Sequence, residues 1–213
     1  PETGVLSLCD STGSSANNGS YIGAAVVNPQ TFLVPVQIRL PSSTTGQYGF
    51  TNNAVSPNAT YYFSDLFEYS QATGRGVTFV FAGSNTGTNT VALLSQSANQ
   101  TGSPSGIRKE GTGRWILSGT NIFNAGSAMN VNDGTLEIQN SGAFGAATSI
   151  NVNNTGVLLL DNVSPASTVN GAPATFVLSS GGTVQVNGNV TNNIQLSTAV
   201  GTTGTIATTS SSD

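Results

Sequence analysis

Residues Ile107–Gly145 read IRKEGTGRWILSGTNIFNAGSAMNVNDGTLEIQNSGAFG, and this stretch decides the fold. Short apolar runs, Trp115-Ile116-Leu117, Met129 with Val131, and Leu136 with Ile138, alternate there with Gly and Asn turn signals at close intervals. Gly111, Gly113, Gly119, Gly126, Gly134 and Gly142 mark places where the backbone turns sharply, since a residue without Cβ reaches conformations closed to others. Strands this short, separated by turns this regular, predict a β-solenoid with the apolar residues pointing inward.

The downstream sequence repeats the pattern. Aligning Asn130–Ile138 (NVNDGTLEI) with Asn151–Leu160 (NVNNTGVLLL) and Ser179–Val186 (SSGGTVQV) makes Gly134, Gly156 and Gly182 equivalent, at steps of 22 and 26 residues. Three short strands and their turns need about that length to close one coil, and each coil leaves its ladder groups open until a neighbour pairs with it. Leu136/Ile138 and Val184/Val186 alternate with Glu137 and Gln185, which places the two polar side chains on a solvent face. Val157–Leu160 is apolar throughout and reads either as a strand covered on both faces or as a contact patch. Asn151, Asn153 and Asn154 suit turns; a side-chain ladder is the alternative.

The 39 residues Ile107–Gly145 resemble the passenger-associated transport repeat of bacterial autotransporter passengers and related large surface proteins. Lys109, Gly111 and Gly113 match its opening, and Leu117-Ser118-Gly119 the end of its first strand. Asn121 and Phe123 match the turn, Gly126 the next glycine and Val131 a short strand; Gly134-Thr135-Leu136 match the third strand, and Gly142 with Gly145 the small-residue tail. Trp115-Ile116 stands where the family more often has Leu or Thr, which adds bulk to a core rung. The resemblance implies a right-handed parallel β-helix exported to the cell surface, of a kind ordinarily followed by a membrane β-barrel.

Composition narrows the partners. Only 7% of the 213 residues are charged, and nine acids against five bases give a net charge of −4. So few Lys and Arg do not track a phosphate backbone or an anionic leaflet, so no nucleic acid partner and no membrane insertion are expected. The longest apolar run, Thr31–Leu40, is too short for a membrane helix and contains Pro35 and Arg39, which reads as a strand. A chain beginning at Pro1 without Met is expected to be a processed or trimmed product, in keeping with a removed export signal. The single Cys9 has no intramolecular disulfide partner and is read as a small buried residue, with an intersubunit bridge as the alternative.

The N-terminal half differs in kind. Eleven of the fourteen Phe and Tyr residues precede Ile107, densest at Tyr61-Tyr62-Phe63, Phe67 and Tyr69. Residues 1–100 therefore read as an aromatic-rich β domain or an N-terminal cap on the solenoid, 101–198 as the solenoid repeats, and 199–213 as a Ser/Thr-rich C-terminal strand or tail. Ser95–Gly106 is the expected linker or long loop. Strands are expected at Ala24–Val27, Phe32–Leu40, Val77–Phe81 and Thr90–Leu94, and a short helix at Tyr61–Tyr69 capped by Ser64.

Catalytic residues are scarce. With no His, imidazole acid–base chemistry, Ser-His-Asp and Cys-His arrangements and the commonest metal ligand are all absent. Asp65 with Glu68 and Asp133 with Glu137 are the carboxylate pairs to weigh for glycoside chemistry; solvating surface acids are the plainer reading. The Gly181-Gly182-Thr183 run starts like a calcium-binding repeat but does not continue as one, and no phosphate loop occurs. Asn18, Asn58, Asn99, Asn153, Asn162 and Asn189 begin Asn-x-Ser/Thr triplets, as chance provides in such a composition. Thr202-Thr203 and Thr208-Thr209 do not form a repeated Thr-x-Thr row.

Together with the resemblance, which implies the right hand and the bacterial surface, these features point to an all-β chain with a right-handed parallel β-helix in its C-terminal half, acting as a non-enzymatic extracellular structural or adhesive protein at the bacterial cell surface. No catalytic, cofactor-binding or metal residue is assigned. The uncapped Ala199–Asp213 segment and the sparse charge favour head-to-tail packing with copies of itself, and a host or matrix glycan or surface receptor is a further partner to consider. The alternative is a carbohydrate-binding or polysaccharide-cleaving β-helix, since the fold class hosts both; that reading predicts an aromatic-lined groove along one face.

Overall fold

A computed structural model describes residues 6–9, 18–39, 46–69, 77–96, 106–121, 127–145, 147, 149–163, 175–179, 181–188, 195–198 and 203–209. Across these residues the chain is all-β apart from one 3-10 turn at Ser141–Phe144. After β1 (Leu6–Cys9), it passes three times through three strands. These are β2 (Asn18–Ile22), β3 (Gln30–Phe32) and β4 (Val36–Arg39); β5 (Gly46–Asn52), β6 (Tyr61–Phe63) and β7 (Leu66–Tyr69); and β8 (Val77–Gly83), β9 (Asn89–Val91) and β10 (Leu94–Gln96). Each later pass has two described strands: β11 (Gly106–Lys109) with β12 (Arg114–Leu117), β13 (Ala128–Val131) with β14 (Thr135–Ile138), β15 (Ser149–Val152) with β16 (Val157–Asp161), β17 (Thr175–Leu178) with β18 (Thr183–Asn187), and β19 (Gln195–Thr198) with β20 (Thr205–Thr209).

Every pairing among them is parallel. One sheet runs β1-β4-β7-β10, a second β2-β5-β8-β11-β13-β15-β17-β19, and a third β3-β6-β9-β12-β14-β16-β18-β20. A parallel neighbour demands a long crossover, and here the crossover is the rest of the coil. This is consistent with the β-solenoid class. Both long sheets run across residue 100, with β8 pairing β11 and β9 pairing β12. Residues 97–105, most of the expected linker, lie outside the described residues, as do Phe123 and Gly126.

Coil length explains the composition shift. The register partners Tyr48, Phe79, Ile107, Met129 and Ile150 step by 31, 28, 22 and 21 residues along the chain. The long steps accommodate a third strand, and aromatic rings pack between the sheets there. Phe50 meets Phe63 at 4.8 Å between ring centroids, Phe32 stacks on Phe63 at 5.0 Å, and Phe81 and Tyr61 reach Trp115 at 4.7 and 5.7 Å. Trp115 thereby joins the aromatic cluster to the repeat region. In the shorter coils Leu117, Val131, Leu136, Ile138, Val152, Leu158 and Leu160 fill the interior, each fully buried. Between β14 and β15 the 3-10 turn buries Ala143 and Phe144, with the Asn140 side chain capping Gly142 N.

The glycine spacing read from the sequence holds. Thr135, Val157 and Thr183 are register partners, so Gly134, Gly156 and Gly182 stack one residue before them. Gly134 has φ +62°, and a Cβ there would lie 2.4 Å from the Gly111 carbonyl oxygen, so no other residue fits without displacing backbone.

Several local expectations fail. Tyr61–Tyr69 is two strands rather than a helix: Tyr61 and Phe63 are buried while Tyr62 is exposed, a period of two, and Ser64-Asp65 turns the chain into β7. Ala24–Val27 is a turn, closed by Val26 N donating to the Gly23 carbonyl, with Ala24 and Ala25 exposed. Phe32–Leu40 breaks at Leu33-Val34-Pro35 and Thr90–Leu94 at Ala92-Leu93, because each spans the corner between two sheets. Val77–Phe81 falls within β8 as expected. Val157–Leu160 alternates, with Leu158 and Leu160 inside and Val157 and Leu159 half-buried outside.

Candidate functional site: a groove on an outer sheet face

The outward positions of β2, β5, β8 and β11 form a trough. In β5, Tyr48, Phe50 and Asn52 are buried, so Gln47, Gly49 and Thr51 face away from the core. Parallel register places Gly19, Gly49, Val80 and Arg108 in one outer row, where the two glycines leave a depression and Arg108 rises at the far end. Tyr21 and Thr51 stand in the adjacent row and Gln47 on the opposite side, enclosing about 340 Å³. Tyr21 is 64% exposed. A smaller hollow of about 170 Å³ lies against Tyr21 as well, lined by Val26, Gln30, Phe32 and Tyr61. Tyr61 shares a hydrogen bond with Ser20 at 2.7 Å, and burial pushes its phenol above the ordinary range.

Polar groups of the trough are held but not exhausted. Arg108 Nη2 donates to Gln47 Oε1 at 2.9 Å across the intervening β8. Its Nε lies 2.8 Å from Glu110 Oε1, an ion pair without hydrogen-bond alignment. Glu110 Oε1 also accepts from Asn132 Nδ2 at 2.9 Å, and Asn132 Oδ1 from Asn153 Nδ2 at 2.9 Å, a ladder along the sheet. Asn151 likewise donates to Asn130 at 2.8 Å, so Asn151 and Asn153 form ladders rather than turns, whereas Asn154, at φ +49°, is the turn residue. Among the described residues no hydrogen bond reaches Arg108 Nη1, Gln47 Nε2 or Thr51 Oγ1.

Asp133 and Glu137 are engaged by separate partners. Asp133 Oδ1 accepts from Gly134 N at 2.8 Å and Thr155 Oγ1 at 2.6 Å, a turn-capping role. Glu137, expected in solvent, is 1% exposed. Arg114 from the preceding coil covers it, Nε donating to Oε2 at 2.7 Å and Nη2 to the same oxygen, while Gln139 Nε2 donates to Oε1 at 2.6 Å. Ile116 and Leu159, its register neighbours, complete the enclosure. Asp65 lies at the β6–β7 turn, where burial pushes its carboxyl up and its Oδ1 has no hydrogen-bond partner among the described residues. Glu68 follows in β7 and Cys9 ends β1, their side chains outside the description. No group of three His, Cys, Asp or Glu able to hold a metal occurs among the described residues.

Of the Asn-x-Ser/Thr asparagines, Asn58 and Asn162 are exposed, Asn153 is engaged with Asn132, and Asn99 and Asn189 lie outside the described residues. Thr135, Thr183 and Thr205 share an outer row that Val157 interrupts. The trough itself had no local signature: Tyr21, Gln47 and Arg108 are distant in sequence, and only the register between coils assembles them.

No protein-family model, curated protein or solved structure matches this chain. The resemblance to the transport repeat therefore rests on the residues of Ile107–Gly145 alone.

Proposed function

We propose that the chain is a non-enzymatic structural or adhesive element of an extracellular, cell-surface protein. In this reading it is a right-handed parallel β-helix that extends by stacking, end to end with further copies or as part of a longer surface solenoid. The observation that carries the reading is the condition of the terminal coils. Among the described residues, β1, β2 and β3 each have one strand neighbour, and so do β19 and β20.

The inward row Trp115, Leu136, Leu158 and Val184, each 1% exposed or less, continues to Ile206, which is 56% exposed. Among the described residues nothing is stacked on the core column at its last coil. Burying such a side chain fully is worth about 1.5–3 kcal/mol, and a parallel strand edge is a ready template for another strand. A head-to-tail contact of this kind does not close, so it propagates, and with only 7% charged residues little repulsion opposes it.

Sedimentation velocity across a concentration series tests the assembly. Wild-type protein is expected to form species that grow with concentration, and Ile206→Lys to remain smaller at each concentration. A single monomeric species for both proteins throughout would count against it.

A further inference from the structure

We infer that the trough over β2, β5, β8 and β11 is a binding site for a neutral saccharide, with a pyranose ring packed against Tyr21 and its hydroxyls bonded to Gln47, Thr51 and Arg108. Four observations converge on that class of ligand. The volume, about 340 Å³, sits at the lower end of the ~300–1,000 Å³ typical of small-molecule sites, room for a sugar rather than a folded segment. Tyr21 offers an aromatic ring at the wall, 64% exposed, and the electron-rich face of such a ring attracts the polarised C–H groups of a sugar.

The polar groups along the trough are those that read hydroxyls. Among the described residues Gln47 Nε2 and Arg108 Nη1 have no hydrogen-bond partner, Thr51 Oγ1 both donates and accepts, and the Arg108–Gln47 bond at 2.9 Å fixes two of the three in place before a ligand arrives. Charge then separates neutral from acidic sugars. Among the described residues Arg108 is the one cation lining the trough, and Glu110, 2.8 Å from its Nε, already balances it. A ligand carboxylate would meet that neutralised pair rather than a free positive charge. A wholly apolar ligand would strand the three polar groups, which costs affinity.

Position matters as well. The trough lies on the outer face of strands from four successive coils, so a single chain carries the whole site, and its side chains stand perpendicular to the β2 edge at which a further copy would pair. The inference supplies a ligand class for the adhesive part of the reading above, yet stands or falls apart from end-on stacking.

The test is a titration of the full chain, followed by 1H–15N NMR, with neutral trisaccharides of glucose, galactose and N-acetylglucosamine, and with a galacturonate trimer as the acidic comparison. At least one neutral trisaccharide is expected to shift the amides of Gly19, Tyr21, Gly49 and Arg108. Affinity should fall at least tenfold in Tyr21→Ala, an exposed position whose change leaves the rest of the spectrum in place, and severalfold in Gln47→Ala. No shifts with any neutral sugar, shifts elsewhere on the chain, or shifts indifferent to both substitutions would overturn the site; binding of the acidic trimer alone would overturn the ligand class.

Discussion

Lys109 Nζ, at an inward position of β11, donates at 3.0 Å to the carbonyl of Asp133 in the next coil, and at 2.9 and 2.5 Å to those of Glu110 and Gly111. Its row neighbours are Phe81 and Phe50 on one side and Val131 and Val152 on the other, so a fully buried ammonium stands where neighbouring coils place hydrocarbon. Three carbonyl acceptors at one corner make that placement tolerable. They also tie two coils together.

A pH dependence follows. Burial lowers the Lys109 pKa from 10.5 to about 8, against the opposing fields of Asp133 and Glu110. Between those values the unfolded chain holds a proton that the folded chain has lost, so stability rises with pH across the window and is lower below pH 8. The full gain is roughly 3 kcal/mol. Above pH 10 the buried Tyr61 phenol, its pKa raised, acts in the opposite direction. Urea melts between pH 8 and 10 should show rising stability in the wild type and a flatter profile in Lys109→Met.

Asn89 is the hub of a buried corner between sheets. Its Oδ1 accepts from Asn52 Nδ2 at 2.6 Å and Tyr61 N at 3.0 Å, and its Nδ2 donates to the Arg114 carbonyl at 3.0 Å. Asn89→Ala leaves buried donors without an acceptor, so a loss of about 2–4 kcal/mol is expected in denaturant melts. Asn89→Asp keeps the acceptor and should move the chemical shift of the Tyr61 amide less than Asn89→Ala does.

Turn positions give a sharper contrast. Gly134→Ala combines a positive φ with a clash against the Gly111 carbonyl and should cost more than about 2 kcal/mol. Gly23→Ala, where an added Cβ would meet only Tyr21 at 3.6 Å, should change stability by less than about 1 kcal/mol. Thermal melts of the two variants decide it.

Arg114 and Glu137 are expected to be strongly non-additive. Arg114→Ala strands a carboxylate that is 1% exposed, a loss of about 3–5 kcal/mol. Replacing both, as Arg114→Met with Glu137→Leu, should recover most of it, because the outer row beside them is already Ile116 and Leu159. A double-mutant cycle reads the coupling directly.

What the sequence disclosed was whatever repeats locally. Gly134, Gly156 and Gly182 recur in recognisable surroundings, and Leu136/Ile138 show the alternation of a strand with one buried face, so the coils from Ile107 onward were legible. Tyr61–Tyr69 misled because an aromatic run without a turn glycine hides the corner at Ser64-Asp65. Glu137 misled for another reason: alternation places it outside, correctly, but cannot say that Arg114 of the preceding coil will cover it. The trough needed more still, since Tyr21, Gln47 and Arg108 become neighbours only when coils of unequal length stack in one register.

Electron microscopy of the purified protein at several concentrations, in moderate salt, tests the central claim most directly. Eight strands in each long sheet at about 4.8 Å per strand give a subunit roughly 38 Å along the stack. Uniform fibres with an axial repeat near that length are the predicted result. Separate particles at every concentration would contradict end-on assembly.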